Sequence, residues 1–236
     1  MISHSISHGI NGYANIPGDK SISHRSIIIP SVSKGICEID NILMSDDVMH
    51  TLQAFKDMGV KIEESKSKLI IHGKGLNSLK KPKNKIYLGN SGTSARLLTG
   101  LLSSQKFNTI LTGDSSLSKR PMRRITNPLN QMNAQIESVN GTMPLTVKGC
   151  NLVSTRINLE IPSAQIKSGI LLASLNTKGI TYISESKITR DHTEIMLESF
   201  EANLEVQKNN HKKLLKITGQ KELVSKNISV PNDLSS

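Results

Sequence analysis

Tryptophan is absent from the 236-residue chain, and aromatic residues make up only 3% of it. Surfaces that grip single-stranded nucleic acid stack bases on aromatic platforms, so this composition argues against such a binder. It also means that the core must be packed from Ile, Leu, Val and Met. There are only two cysteines, Cys37 and Cys150, far apart and in no CxxC pattern. That excludes a disulfide scaffold and a thiolate metal site, and it reads as two reduced, buried thiols in a cytoplasmic protein. No apolar run reaches a membrane-spanning length, so no membrane partner is expected. The stretch Met1-Ile2-Ser3-His4-Ser5-Ile6-Ser7-His8 lacks the basic start and apolar block of a secretory signal. The seven histidines are scattered, and the i, i+4 pair His4 and His8 falls in a terminal stretch, so no metal site is expected.

Acidic residues are the minority: 19 Asp and Glu face 30 Lys and Arg, a net charge of +11. Such an excess raises a nucleic-acid-binding module as one reading, with binding that falls steeply with salt. The densest run, Lys80-Lys81-Pro82-Lys83-Asn84-Lys85, reads instead as a solvated loop, and Lys208, Lys212, Lys213 and Lys216 lie on a hairpin. Lys20, Arg25, Arg96, Arg120, Lys167 and Arg190 carry more meaning, because they recur at matching places in an internal repeat. Cations so placed suit a small, multiply charged anion.

The repeat has a period of roughly seventy residues, longer than a solenoid unit, and so describes a few large units rather than an array. Its openings are Ile16-Pro17-Gly18-Asp19-Lys20-Ser21-Ile22-Ser23-His24-Arg25, Leu88-Gly89-Asn90-Ser91-Gly92-Thr93-Ser94-Ala95-Arg96 and Ile161-Pro162-Ser163-Ala164-Gln165-Ile166-Lys167-Ser168. Each is rich in Gly, Ser, Thr or Pro, carries a cation a turn in, and runs into an apolar stretch. That suits a helix N-terminus, whose free N–H groups and positive dipole end can face an anion. A short strand follows each helix: Gly35–Ile39, Phe107–Leu111 and Gly179–Ile183. Second helices are expected over Asp46–Met58, Met122–Met132 and Asp191–Phe200. Hairpins close the units: Val60–Glu63 with Leu69–Gly73, Ala134–Glu137 with Leu145–Gly149, and Leu204–Val206 with Leu214–Gly219. The unit is β-α-β-α-β-β. Residues Ile228 to Ser236 look like a fourth opening cut short, so the chain reads as a piece of a longer protein.

Taken singly, these motifs leave more than one reading open. Gly18-Asp19-Lys20-Ser21 is not a Walker A ending, because Asp19 separates Gly from Lys and Gly12 is one residue too distant. It reads as an anion site or as an ordinary capped helix start. Asn90-Ser91-Gly92 is a place for close backbone approach by a ligand, or a tight strand-to-helix turn. Arg120-Pro121-Met122-Arg123-Arg124 puts cations where a helix dipole disfavours them, pointing to an anion or to a salt bridge with a nearby acid. In Arg190-Asp191-His192-Thr193-Glu194, Asp191 reads as an N-cap and Glu194 as its capping-box partner. His192 has no evident nucleophile beside it.

Together the motifs resemble the 5-enolpyruvylshikimate-3-phosphate synthase family. The residues that carry the resemblance are Pro17–Arg25, Gly89–Arg96, Lys119-Arg120-Pro121-Met122, Ser163-Ala164-Gln165 and Thr189-Arg190-Asp191-His192-Thr193. They run in order over nearly the whole chain and match the first half of the family's length. The resemblance implies an α/β fold of two similar domains, each with three β-α-β-α-β-β units, buried parallel helices and outer sheets in an inverse α/β barrel-like arrangement. Residues 14–230 would form the N-terminal domain, 1–13 would belong with the missing second domain, and 231–236 would be the stub of the crossover.

The implied reaction moves the enolpyruvyl group of phosphoenolpyruvate to the 5-hydroxyl of shikimate 3-phosphate, with no metal or organic cofactor. Lys20 would lie between both substrates. Ser21, Arg25, Ser163, Ala164, Gln165 and Arg190 would hold shikimate 3-phosphate. Asn90, Gly92 and Arg120, with Gln165, would hold phosphoenolpyruvate. Arg96 would be structural. The acid–base groups of the family lie in the second domain, so this chain alone is expected to be inactive, and the parent protein to be a cytoplasmic monomer. The sister transferase acting on UDP-N-acetylglucosamine uses a Cys in the loop before the Arg-Pro pair; here that loop, Gly113–Lys119, has none. A natural half-protein working with a separate second half is a further reading.

Overall fold

The computed structural model describes residue 12 and residues 16–65, 68–209 and 212–234. Most of the first segment, 1–13, and residues 235 and 236 therefore lie outside the described residues. The first unit runs α1 (Lys20–Ser31), β1 (Lys34–Asp40), α2 (Asp46–Asp57), β2 (Lys61–Ser65) and β3 (Lys68–Lys74). The second has β4 (Ile86–Tyr87), α3 (Gly92–Ser103), β5 (Asn108–Thr112), α4 (Ser115–Ser118), α5 (Arg123–Gln131), β6 (Gln135–Val139) and β7 (Thr142–Lys148). The third has β8 (Arg156–Leu159), α6 (Ala164–Ser174), β9 (Ile180–Glu185), α7 (His192–Ser199), β10 (Asn203–Asn209) and β11 (Lys212–Thr218), and β12 (Ile228–Ser229) follows. The expected helices and hairpins all form. The loop before the Arg-Pro pair holds an extra short helix, α4, because the Asp114 carboxylate accepts the Leu117 N–H and caps it.

Three four-stranded sheets repeat one topology: β4-β5-β7-β6, β8-β9-β11-β10 and β12-β1-β3-β2. In each, a short leading strand pairs in parallel with the next and the rest are antiparallel. The leading strand of the first sheet is β12, from the far end of the chain, with Ile39 opposite Ile228 and Asp40 opposite Ser229. The sequence that reads as a fourth opening thus completes the first unit. Backbone bonds continue the closure: Asp19 N–H donates to Pro231 O at 2.8 Å and Asp233 N–H to Pro17 O at 2.9 Å.

Strands bury alternate residues, as one face of each sheet covers the core. Cys37 and Ile39 point inward from β1, Thr109 and Leu111 from β5, Thr181 and Ile183 from β9. The first helix of each unit is buried nearly all round: Ser23–Ser31 in α1, Ile166–Ser174 in α6, and most of α3. Several of their hydroxyls close on their own helix. Ser31 donates to Ile27 O, Thr99 to Ala95 O, Ser103 to Thr99 O and Ser174 to Ile170 O, which removes the cost of burying them. Helices α3 and α6 meet at two glycines, where a Cβ on Gly100 would sit 1.9 Å from Gly169 O. Close backbone approach replaces the bulk that aromatics would supply. Of the two thiols, Cys37 is buried as expected, its pKa pushed up to about 12 by burial and by Glu38. Cys150 is only half-buried, because it lies in the connection beyond β7 rather than under a sheet.

Candidate functional site

Each first helix opens on a side-chain cap. Asp19 accepts the Ile22 N–H at 2.6 Å, Ser91 the Ser94 N–H at 3.1 Å, and Ser163 the Ile166 N–H at 3.5 Å. The caps leave other first-turn N–H groups without an intrahelical acceptor, with the positive dipole ends beside them. Side chains of the first two turns then tie the three starts together at one end of the domain. Arg96 of α3 donates to Gln165 Oε1 of α6 at 2.7 Å, and Gln165 Nε2 donates back to Thr93 Oγ1 at 2.9 Å. His24 of α1 sits among Thr51 of α2 and Ser91 and Ser94 of α3, at 2.8, 3.4 and 3.1 Å. Burial pushes the His24 pKa down to about 3, with Asp47 opposing and Arg25 and Lys20 reinforcing, so the ring is neutral at pH 7.

Two groups of candidate residues form. In the first, Arg120 bonds Asn90 Oδ1, and the Arg96 and Arg120 guanidiniums cross over Gly92, where a Cβ would meet them at 2.8 and 2.9 Å. The Arg96 pKa is lowered by burial and then by Arg120 and Arg124. Arg123 and Arg124 occupy the first turn of α5, which has no side-chain cap. Among the described residues no carboxylate forms an ion pair with any of these four arginines, so the salt bridge that the dipole argument allowed is not made. Cations crowded at a helix start favour a bound anion. A cleft of about 310 Å³ opens nearby, lined by Arg123, Arg124, Asn158 and Glu160, and takes in none of the candidate residues.

In the second group, Arg25 is 4% exposed and clamped by α6 and α7. Its Nε donates to Thr193 Oγ1 at 2.5 Å, one terminal nitrogen to Ser21 O at 2.7 Å and the other to Ser168 Oγ at 2.9 Å. A guanidinium has five N–H groups, so two are left over. Burial lowers the Arg25 pKa to about 10, which Glu194 and Asp19 resist and Arg190 assists; it stays charged at pH 7. Arg190 is exposed beside it. Lys20 pairs with Asp47 at 2.5 Å at the half-exposed rim. Ser163 and Ala164 sit half-exposed at the start of α6. His192 is half-buried, its pKa lowered by burial and by Arg25, and so neutral.

Two sequence expectations fail here. Lys167 does not face the open end; it is fully buried between Glu185 and Glu194 at 2.7 and 2.8 Å. Glu194 does not complete a capping box, because its carboxylate turns inward to Lys167 and Lys213, and Asp191 makes no cap hydrogen bond. Lys213 lies on the β10–β11 hairpin as the sequence reads, and it is 1% exposed. The missed signal is period two: Glu185 and Lys213 continue the inward phase of β9 and β11 and stand opposite each other in register.

The sequence profile of the EPSP synthase (3-phosphoshikimate 1-carboxyvinyltransferase) family matches residues 5–236. The 3-phosphoshikimate 1-carboxyvinyltransferase of Ruthia magnifica subsp. Calyptogena magnifica is 48% identical over 97% of this chain and 52% of its own length. The enzyme of that name from Streptococcus mutans is 46% identical over 97% of the chain and 53% of its own. The solved EPSP synthase from Acinetobacter baumannii superposes with a TM-score of 0.88 at 47% identity, over 95% of this chain and 50% of that one. The chain spans about half the length of the curated relatives it matches. The match over residues 5–236, together with the likeness of three sheets around three buried helices to that solved structure, shows that the chain belongs to the EPSP synthase family.

Proposed function

We propose that this chain supplies the shikimate 3-phosphate side of an enolpyruvyl transfer site, in a protein that moves the enolpyruvyl group of phosphoenolpyruvate to the substrate's 5-hydroxyl and releases phosphate. The observation that carries this reading is the joining of three capped helix starts by Arg25, Arg96 and Gln165. The demand on the site is electrostatic: two phosphates and two carboxylates must be held together, and charge must be stabilised as the tetrahedral intermediate forms. Lys20, Ser21, Arg25, Ser163, Ala164, Gln165 and Arg190 hold shikimate 3-phosphate; Asn90, Gly92, Arg120 and Gln165 hold phosphoenolpyruvate, with Lys20 between the two. Arg96 orients the Gln165 amide. His24 is buried with its pKa pushed down to about 3, which makes it a weak base at pH 7; proton transfer is assigned to a second half of the protein. Exposed Met44, Ile161 and Ile188, just before the starts of α2, α6 and α7, support a partner surface over this end. The whole protein works as a cytoplasmic monomer.

The UDP-N-acetylglucosamine reading fits less well, because Cys37 is buried on β1 and Cys150 lies beyond β7, and neither belongs to the loop before Arg120. An NMR titration of the labelled chain decides. With shikimate 3-phosphate, the signals of Ser21, Arg25, Gln165 and Arg190 are expected to move; UDP-N-acetylglucosamine and a DNA oligomer are expected to leave them in place. Response to either control in place of shikimate 3-phosphate would overturn the assignment.

A further inference from the structure

We propose that the buried Lys167–Glu194 ion pair, backed by Glu185 and Lys213, is the device that positions the Arg25 guanidinium, so that Lys167 and Glu194 are positioning residues of the anion site; the substrate part of this inference rests on the reading above. Two neighbouring residues of α6, Lys167 and Ser168, meet two neighbouring residues of α7, Thr193 and Glu194. The ion pair spans 2.8 Å, and the Ser168 and Thr193 hydroxyls stand 2.7 Å apart. Those same hydroxyls receive Arg25 at 2.9 and 2.5 Å. Whatever sets the offset of α6 against α7 therefore sets the direction of the guanidinium and of its two remaining N–H groups.

The ion pair is suited to set that offset. The Lys167 and Glu185 side chains are 0% exposed, Lys213 1% and Glu194 3%. Lys167 is held by Glu185 at 2.7 Å, Glu194 is shared with Lys213 at 2.7 Å, and Glu185 also accepts from Thr189 at 2.5 Å. A buried network of this kind contributes little net stability over apolar packing, since desolvation cancels most of the attraction. Its bonds are directional, though, and apolar side chains would let the two helices slip. One Glu194 oxygen, Oε2, is buried without a hydrogen-bond partner. Its negative charge acts on Arg25, and of the nearby charges it does most to resist the lowering of the Arg25 pKa.

The test uses the whole chain, labelled so that the Arg25 Nε–H resonance is visible. Glu194→Gln keeps the shape and removes the charge; Lys167→Met with Glu194→Leu removes both charges and keeps the volume. In the folded variants the Arg25 Nε–H signal is expected to shift and to exchange with solvent about tenfold faster, and shikimate 3-phosphate affinity to fall about tenfold, as when the partner that orients a binding group is lost. Each variant takes a buried partner from Lys213, and the double variant one from Glu185 as well, so both are expected to melt lower; the signal and the affinity are read well below the melting transition, which separates positioning from stability. A double variant whose Arg25 signal and affinity match the wild type would overturn the inference. So would a failure of both variants to fold, because the network would then be holding the domain rather than one guanidinium. If the wild type itself ignores shikimate 3-phosphate, the substrate reading fails, while the ligand-free Arg25 signal still decides the positioning claim.

Discussion

At the scale of single residues, His24 makes a sharp prediction. Its folded pKa, about 3, lies well below the ordinary 6.5. As pH falls, the unfolded chain takes up the proton first, so the stability this ring contributes is present above about pH 6.5 and is lost progressively as pH falls towards about 3. The slope is about 1.4 kcal/mol per pH unit for one proton. Urea unfolding at pH 6, 5 and 4 is expected to show wild type losing more stability per unit than His24→Gln by about that slope; parallel lines would show that the ring titrates normally. Arg25 stood out in the sequence as a recurring cation in a repeated opening, and Gln165 through the family resemblance. Their partners Thr193, Ser168 and Thr93 did not, since a hydroxyl 168 positions away leaves no local pattern.

At the scale of elements, the contact of α3 with α6 decides how the three helix starts share one end. A Cβ on Gly100 would strike backbone, not a flexible side chain. Gly100→Ala is therefore expected to cost about 1–3 kcal/mol, read as a lowered denaturation midpoint, because overpacked backbones must separate. An unchanged midpoint would mean that the helices part without cost. Strand β12 makes a second case. Truncation after Asn227 removes the parallel partner of β1 and the Pro231 carbonyl that holds the Asp19 N–H. The expected result is a lower melting temperature and faster amide exchange at Asp19 to Ile22, with α6 unaffected; protection at those amides equal to the full chain would show that the closure is dispensable.

At the scale of the whole molecule, the proposed function divides the site, with proton transfer in a second half of the protein. The chain alone is expected to show no turnover of phosphoenolpyruvate with shikimate 3-phosphate, and to gain it when mixed with the C-terminal half of a family member. Release of inorganic phosphate measures both. Turnover by the chain alone would place the acid–base chemistry within these 236 residues.

The sequence by itself determined the three-unit architecture, the helix starts and the family, because hydrophobic period, capping residues and Gly-rich openings act over a few residues each. Only the tertiary structure decided which cations face solvent. Lys20 and Lys167 occupy similar places in two openings, yet one reaches a half-exposed rim and the other is fully buried. The difference lies in what packs above each helix: Asp47 at the edge of α2 in one case, Glu185 and Glu194 beneath a sheet and a helix in the other. Burial depends on neighbours brought together by folding, and a cation's role follows from the carboxylates it meets there.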